Sequence, residues 1–290
     1  MRWITAFISL VCLICPCALC YGQLSFSSVN GEHGYSAMRG AYKWDLDNGL
    51  LLTPIYGYFR MSDDEEGKTG SSSRYGLRAR YELSEEIDVL ARGIWQPKAV
   101  GYQGVSYDTG VNWRPFYYWG GIKNPFVRLT VEQTRYRSMV TADGRPLKEA
   151  TGGQISTFRE IETGGELETG AEYKNWNLKA EWHKVIKYSS KVPNGISFSW
   201  AEIPYMTAVI QGFIKEAYAV KGSYKADLVT PYVSVVQYRY VERSDRALAV
   251  NAGVTFTLWN VLFMGGVEVF EPRRDENRRT FFSFSAEAEF

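Results

Sequence analysis

The stretch Arg279 to Phe290 reads Arg-Thr-Phe-Phe-Ser-Phe-Ser-Ala-Glu-Ala-Glu-Phe. Successive side chains of an extended chain point to opposite faces. Phe282, Phe284, Ala286, Ala288 and Phe290 therefore share one face, and Ser283, Ser285, Glu287 and Glu289 share the other. A period of two with the apolar set on one side predicts a strand. An ordinary half-buried strand of a soluble β-protein would look the same, so the rest of the chain has to decide.

The same alternation recurs upstream. In 74–83, Tyr75, Leu77, Ala79, Tyr81 and Leu83 oppose Arg74, Arg78, Arg80 and Glu82. In 34–46, Met38, Tyr42 and Trp44 oppose Arg39, Lys43 and Asp45. In 87–96, Val89, Ala91 and Trp95 oppose Asp88 and Arg92; in 105–114, Tyr107, Val111 and Trp113 oppose Asp108, Asn112 and Arg114. In 126–137, Val127, Leu129 and Val131 oppose Arg128, Thr130 and Glu132. In 158–174, Ile161, Leu167 and Tyr173 oppose Glu160, Glu162, Glu166, Glu168 and Glu172, and in 178–188 Leu178 and Trp182 oppose Lys179, Glu181 and His183. Further strands are expected at 24–28, 50–61, 218–226, 229–241, 246–258 and 261–271. No stretch after Gly22 has the period of an amphipathic helix.

The connections carry as much information as the strands. Short turns fall at 47–49, 84–86, 175–177 and 259–260, and long polar loops at 62–73, 98–104, 138–156, 189–211 and 271–278. Short and long largely alternate, as in an up-and-down barrel with turns at one end and loops at the other. The aromatic connection 115–124 is the exception. The expected fold is all-β and antiparallel, with about fourteen strands, or twelve if the weak first strand and a neighbour fail. Periodicity is lost at 189–211, which could be an outer loop, an extra strand pair or a segment folded into the interior.

Met1 to Gly22 has the form of a cleaved export signal: Arg2, an uncharged apolar run from Trp3 to Leu19, then Cys20-Tyr21-Gly22, with Gln23 as the expected mature start. All 4 cysteines lie in that segment. A chain from Gln23 onward therefore has no disulfide framework, no thiolate metal site and no cysteine nucleophile. The mean hydropathy of −0.26 would suit a soluble protein. It suits a membrane barrel equally, because only alternate residues of each strand meet lipid.

With its terminal aromatic, the closing strand resembles that of Gram-negative outer-membrane β-barrels of the porin-like class. The resemblance covers nearly all of the chain after Gly22. Tyr and Trp recur near strand ends (Trp44, Tyr58, Tyr81, Trp95, Trp113, Tyr173, Trp259), as interfacial girdles require. The apolar faces mix Ala and Gly with large residues, which suits lipid contact better than a tight core. The resemblance implies a single transmembrane barrel domain, 23–290, in the bacterial outer membrane. Its implied partners are outer-membrane lipids, the barrel-assembly machinery that reads the strand ending at Phe290, and small polar or charged solutes that diffuse passively. No nucleic acid and no cofactor is expected.

In such a barrel the charged faces line the lumen. The candidate lining residues are Arg74, Arg78, Arg80, Arg92, Arg114 and Arg128 with Glu160, Glu162, Glu166, Glu168, Glu172, Glu181 and His183. Opposed charge rows would set up a transverse field that orients solutes and biases ion passage. Alternatively, Arg128 and its neighbours pair with the glutamates in a structural network. A hydrolase would need His183 beside a nucleophile, and no Ser or Asp lies near it on its face. No metal site is expected, since Asp63 to Glu66 reads as a solvated loop. Gly164-Gly165 and Gly265-Gly266 read as bends or bulges. If 189–211 constricts the lumen, its removal should raise conductance. The rival is a non-conducting barrel that binds a partner through the loops at 62–73, 138–156 and 189–211.

Overall fold

The computed structural model of the protein describes residues 22–32, 34–46, 48–63, 68–99, 102–115, 118–138, 159–188, 205, 214–240, 246–271 and 278–289. Residues 1–21, where the expected export signal falls, most of 189–211 and Phe290 lie outside the described residues. The strands are β1 Gly22–Gly31, β2 Ser36–Asp45, β3 Leu50–Asp63, β4 Lys68–Ser84, β5 Ile87–Ala99, β6 Tyr102–Trp113, β7 Tyr118–Trp119 and β8 Ile122–Ser138. They continue as β9 Arg159–Tyr173, β10 Trp176–Tyr188, β11 Ile214–Tyr224, β12 Thr230–Tyr240, β13 Arg246–Leu258, β14 Val261–Glu271 and β15 Arg279–Glu289. No helix among the described residues is long and apolar enough to cross a membrane, which says nothing about strands.

Each strand pairs antiparallel with its sequence neighbour, and β6 pairs directly with β8 around the two-residue β7. β15 returns to pair with β1, Gln23 opposite Glu289 through Gly31 opposite Phe281. The sheet closes as an up-and-down barrel of fourteen wall strands, so no strand edge is left open along the wall.

The barrel is inverted relative to a soluble one. On β8, Leu129 and Val131 are 58% and 54% exposed while Thr130 between them is 8% exposed. On β15, Phe282 is 60% exposed and Phe281 is buried. The same holds on β4, where Tyr75, Leu77 and Tyr81 are exposed and Arg74 is buried. Apolar side chains face outward, and the alternate set faces an enclosed interior. Exposed aromatics then mark two levels. Tyr75 and Tyr81 on β4, Tyr107 and Trp113 on β6, Trp176 and Trp182 on β10, and Tyr218 and Tyr224 on β11 are each six residues apart. That is roughly 20 Å along a strand. Trp182 stacks on Tyr218 at 6.4 Å, Tyr75 meets Trp95 at 5.9 Å, and Trp176 meets Tyr224 at 5.0 Å. The outer wall is an apolar band between two aromatic girdles.

Three expectations are corrected. The polar stretches 62–73 and 98–104 are mostly strand, since β3 runs to Asp63, β4 starts at Lys68, β5 runs to Ala99 and β6 starts at Tyr102. Beyond the lipid band both faces of a hairpin meet water, so the ladder continues without alternation. The connection 115–124 is also shorter than read, because β8 begins at Ile122. Its start is irregular, with Asn124 at φ 49 and a register shift between Lys123 and Phe126, where Pro125 lies. The paired glycines are not bends. Gly265 and Gly266 sit in unbroken register with β13 and β15, and the register shift near Gly164 lies in β10, between Val185 and Lys187.

Candidate functional site: the charged interior

The interior has two layers. At the loop end the inward side chains are largely apolar and aromatic. Tyr35, Phe59, Tyr136, Tyr238, Phe270 and Phe281 are all buried and belong to one cluster. Tyr238 stacks on Phe270 at 6.1 Å, Phe270 meets Phe281 at 6.5 Å, and Tyr35 meets Phe281 edge-on at 5.1 Å. This layer was missed in the sequence, where apolar faces were assigned outward.

Below it lies the charged layer. Arg39 on β2, Arg74 and Arg78 on β4 and Arg92 on β5 crowd one sector of the interior closely enough to repel one another. Arg74 lies along Gly57, its register partner, whose missing side chain makes the room. Glu132 on β8, Glu162, Glu166 and Glu168 on β9 and Glu181 on β10 crowd the next sector. The charges of Arg78 and Arg92 act on Glu166, with β5, β6 and β8 in the wall between β4 and β9, so this influence crosses the interior.

The expected lining residues all lie on the inward faces, and the structure divides them. Arg80 and Arg114 do not meet the glutamate ladder. Near the turn end they converge on Asp88 of β5, which accepts from Arg80 at 3.1 Å, from Arg114 at 3.0 Å and from Asn112 at 3.0 Å. Arg92 pairs with its register partner Asp108 at 2.5 Å. Arg128 does reach the ladder, with Nη1 2.7 Å from Glu168 Oε2. Glu160 is buried, Glu162 accepts from Tyr136 at 3.2 Å, and Glu172, near the turn end, accepts from Asn124 at 3.3 Å.

His183 contacts Glu132 through Nε2, although β9 lies between their strands. Gly164 is the register partner of Glu132, and a Cβ there would stand 3.0 Å from Glu132 Oε1. The glycine is a gap that lets the pair meet. Among the described residues, the imidazole Nδ1 is buried without a hydrogen-bond partner, and no hydroxyl is bonded to it.

Tyr205, from the segment that broke periodicity, is inside the barrel. Its hydroxyl donates to Glu168 Oε1 at 2.8 Å, its carbonyl accepts from Ser234 of β12 at 3.3 Å, and Lys221 Nζ lies 5.7 Å from the ring centre. Burial, with Glu168 beside it, raises the phenol above its ordinary range and keeps it a donor. Glu168 is the register partner of Glu181, five residues from the turn end of β10, so Tyr205 reaches deep into the interior. Among the described residues, Glu166, Glu168 and Glu181 could hold a cation, with carboxylate oxygens within 4.8 Å of one another. Arg128 and Tyr205 already engage both oxygens of Glu168.

A closed fourteen-strand barrel with an apolar outer band and a charged interior has the architecture of the outer-membrane β-barrels. The chain is similar in structure to OprB of Pseudomonas putida, with 8% identity over 93% of this chain and 94% of that one and a TM-score of 0.50. It is also similar to the toluene transporter TodX of Pseudomonas putida, with 10% identity over 93% and 88% of the two chains and a TM-score of 0.48. The outer membrane protein OprD of Pseudomonas aeruginosa matches with 7% identity over 93% of each chain and a TM-score of 0.47. No family model matches the chain, and no curated protein does. At such identities the likeness to OprB is one of fold.

Proposed function

We propose that the protein is an outer-membrane channel for passive diffusion of small polar or charged solutes. The observation that carries this reading is the pair of facing charge sectors: Arg78 of β4 and Arg92 of β5 act across the enclosed interior on Glu132 of β8 and Glu166 of β9. Such opposed charge orients a dipolar solute and favours water over lipid in the lumen. The ion pairs to Asp88, Asp108 and Glu168 fix the wall, and Arg92 and Glu168 belong both to that network and to the facing charge sectors. The reading includes an export signal ending near Gly22 and recognition of the closing strand by the barrel-assembly machinery.

The second reading is a non-conducting barrel that serves as a scaffold or surface receptor. The buried aromatic layer at the loop end favours it, because Tyr136 and Tyr238 there are almost fully enclosed. Single-channel recording in planar bilayers separates the two. The channel reading expects discrete conductance steps, and a larger or noisier current in Tyr205→Phe, which frees this residue from Glu168. Folded barrels that insert and pass no current would establish the scaffold reading instead.

A further inference from the structure

Among the described residues, the outer wall carries a concentration of cations on β8 to β13, just past the loop-end girdle. Arg135 of β8 lies over the ring of Tyr107 at 5.6 Å, and Lys184 of β10 over Trp182 at 5.6 Å. Both rings belong to that girdle, so these cations stand at the depth where lipid headgroups begin. One step further along β8 comes Arg137, directly opposite Arg159 of β9. On β12, Arg239 is directly opposite Arg246 of β13. All are on the outward faces.

Like charges directly opposed on one face of a sheet destabilise it, and here this occurs twice. Among the described residues of β8 to β13, Glu216 is the one carboxylate on the outer face at this level. It accepts from Trp182 at 3.1 Å and Tyr218 at 2.8 Å, and it lies beside Lys184 and Arg239. One carboxylate cannot neutralise the row. Gln103, the register partner of Arg137, accepts from Nε at 2.7 Å once its amide is assigned with the oxygen toward the guanidinium, and adds no charge. Near the loop ends of β1 to β4, the outward residues Asn30, Ser36, Arg60 and Ser71 stand in register, with Arg60 as the one cation among them. The cationic sector is thus a local feature and not a uniform rim.

We infer that the β8–β13 sector binds the phosphate groups of an outer-leaflet glycolipid, with the two opposed arginine pairs as its principal anchors. Arginine presents a fork of donors matched to phosphate oxygens. A phosphate between each pair would turn a repulsion into two charge-assisted contacts, and the acyl chains would lie along the apolar band beneath. This rests on the membrane reading above, but not on conduction.

The test uses the full-length folded protein in detergent, and native mass spectrometry of co-purified lipid after addition of lipid A, its dephosphorylated form or a zwitterionic phospholipid. The wild type is expected to retain lipid A in preference to the other two, and to lose it as salt rises. Inorganic phosphate at millimolar concentration should not displace it, because acyl contacts add to the binding. Each neutralised cation near a charged lipid surface should weaken retention roughly fivefold. Arg137→Gln with Arg159→Gln, and Arg239→Gln with Arg246→Gln, should therefore each lower retention about twentyfold to thirtyfold, while Arg60→Gln leaves it unchanged. Equal retention of the dephosphorylated lipid by the wild type would overturn the proposal without any variant. So would folded paired variants, heat-modifiable on gels, that hold lipid A as tightly as the wild type. Single-channel current in the same variants should be unchanged, which separates failure of this site from failure of the channel reading.

Discussion

Asp88 is the charged group with the most to lose. It is 1% exposed and ties three neighbouring segments together, receiving Arg80 from β4, Asn112 from β6 and Arg114 just beyond β6. Asp88→Ala removes the acceptor for all three. A hydrogen bond to a charged group contributes about 1.5–3 kcal/mol, and stranding a buried amide costs about 1 kcal/mol or more. The side chains of Arg80 and Arg114 are 34% and 31% exposed, so water recovers part of their loss and the two ionic contacts are discounted by about half. The expected cost is about 3–4 kcal/mol. Asp88→Asn keeps an acceptor and the shape, and should cost about 1–2 kcal/mol. Reversible urea unfolding from lipid vesicles, followed by tryptophan fluorescence, measures both. An alanine variant within about 1 kcal/mol of wild type would refute the reasoning. So would an asparagine variant as unstable as the alanine one, since charge-independent packing would then account for the effect.

Orientation and packing give further predictions. Leu129→Arg places a cation on the lipid face midway between the girdles and should destabilise the barrel by about 2–4 kcal/mol, whereas Leu83→Arg, at the turn end of β4, should cost at most about 1 kcal/mol; the same unfolding assay reads both. Gly266 and Gly265 are neighbours with opposite tolerances. A Cβ on Gly266 would meet the Tyr232 hydroxyl, whereas one on Gly265 meets nothing within 4 Å. Gly266→Ala should cost about 1–3 kcal/mol by forcing the ring aside, and Gly265→Ala should fold and unfold like wild type.

The fold was legible where one face was charged and the other was not. β4 from Arg74 to Glu82 and β9 from Glu160 to Glu172 have a period of two with their charges on one side, and the recurrence of that pattern between alternating short and long connections reads as an up-and-down barrel. It became illegible where both faces are apolar. On β12, Val233 and Val235 point out while Val236 and Tyr238 point in, and alternation cannot separate lipid-facing from interior-packed side chains there. The aromatic layer at the loop end was hidden for that reason. The charges of the site could be read, but not their pairings. Asp88 and Asp108 stood in the sequence as single carboxylates among arginines, and neighbouring-strand register is what makes them the partners of Arg80, Arg114 and Arg92. Gly164 shows the same limit, because its role depends on Glu132 and His183, which flank it across two ladders.

The most direct measurement of the inverted wall uses two adjacent positions on β9. A chain starting at Gln23 contains no cysteine, so Glu166→Cys and Leu167→Cys each introduce a single thiol. Both are treated in planar bilayers with a charged, membrane-impermeant thiol reagent during single-channel recording. Cysteine at 166 is predicted to react and to change the current in discrete steps, while cysteine at 167 stays unmodified and the current steady. Reaction at 167 with protection at 166 would contradict the inverted wall, and modification at 166 that leaves the current unaltered would contradict a conducting charged interior.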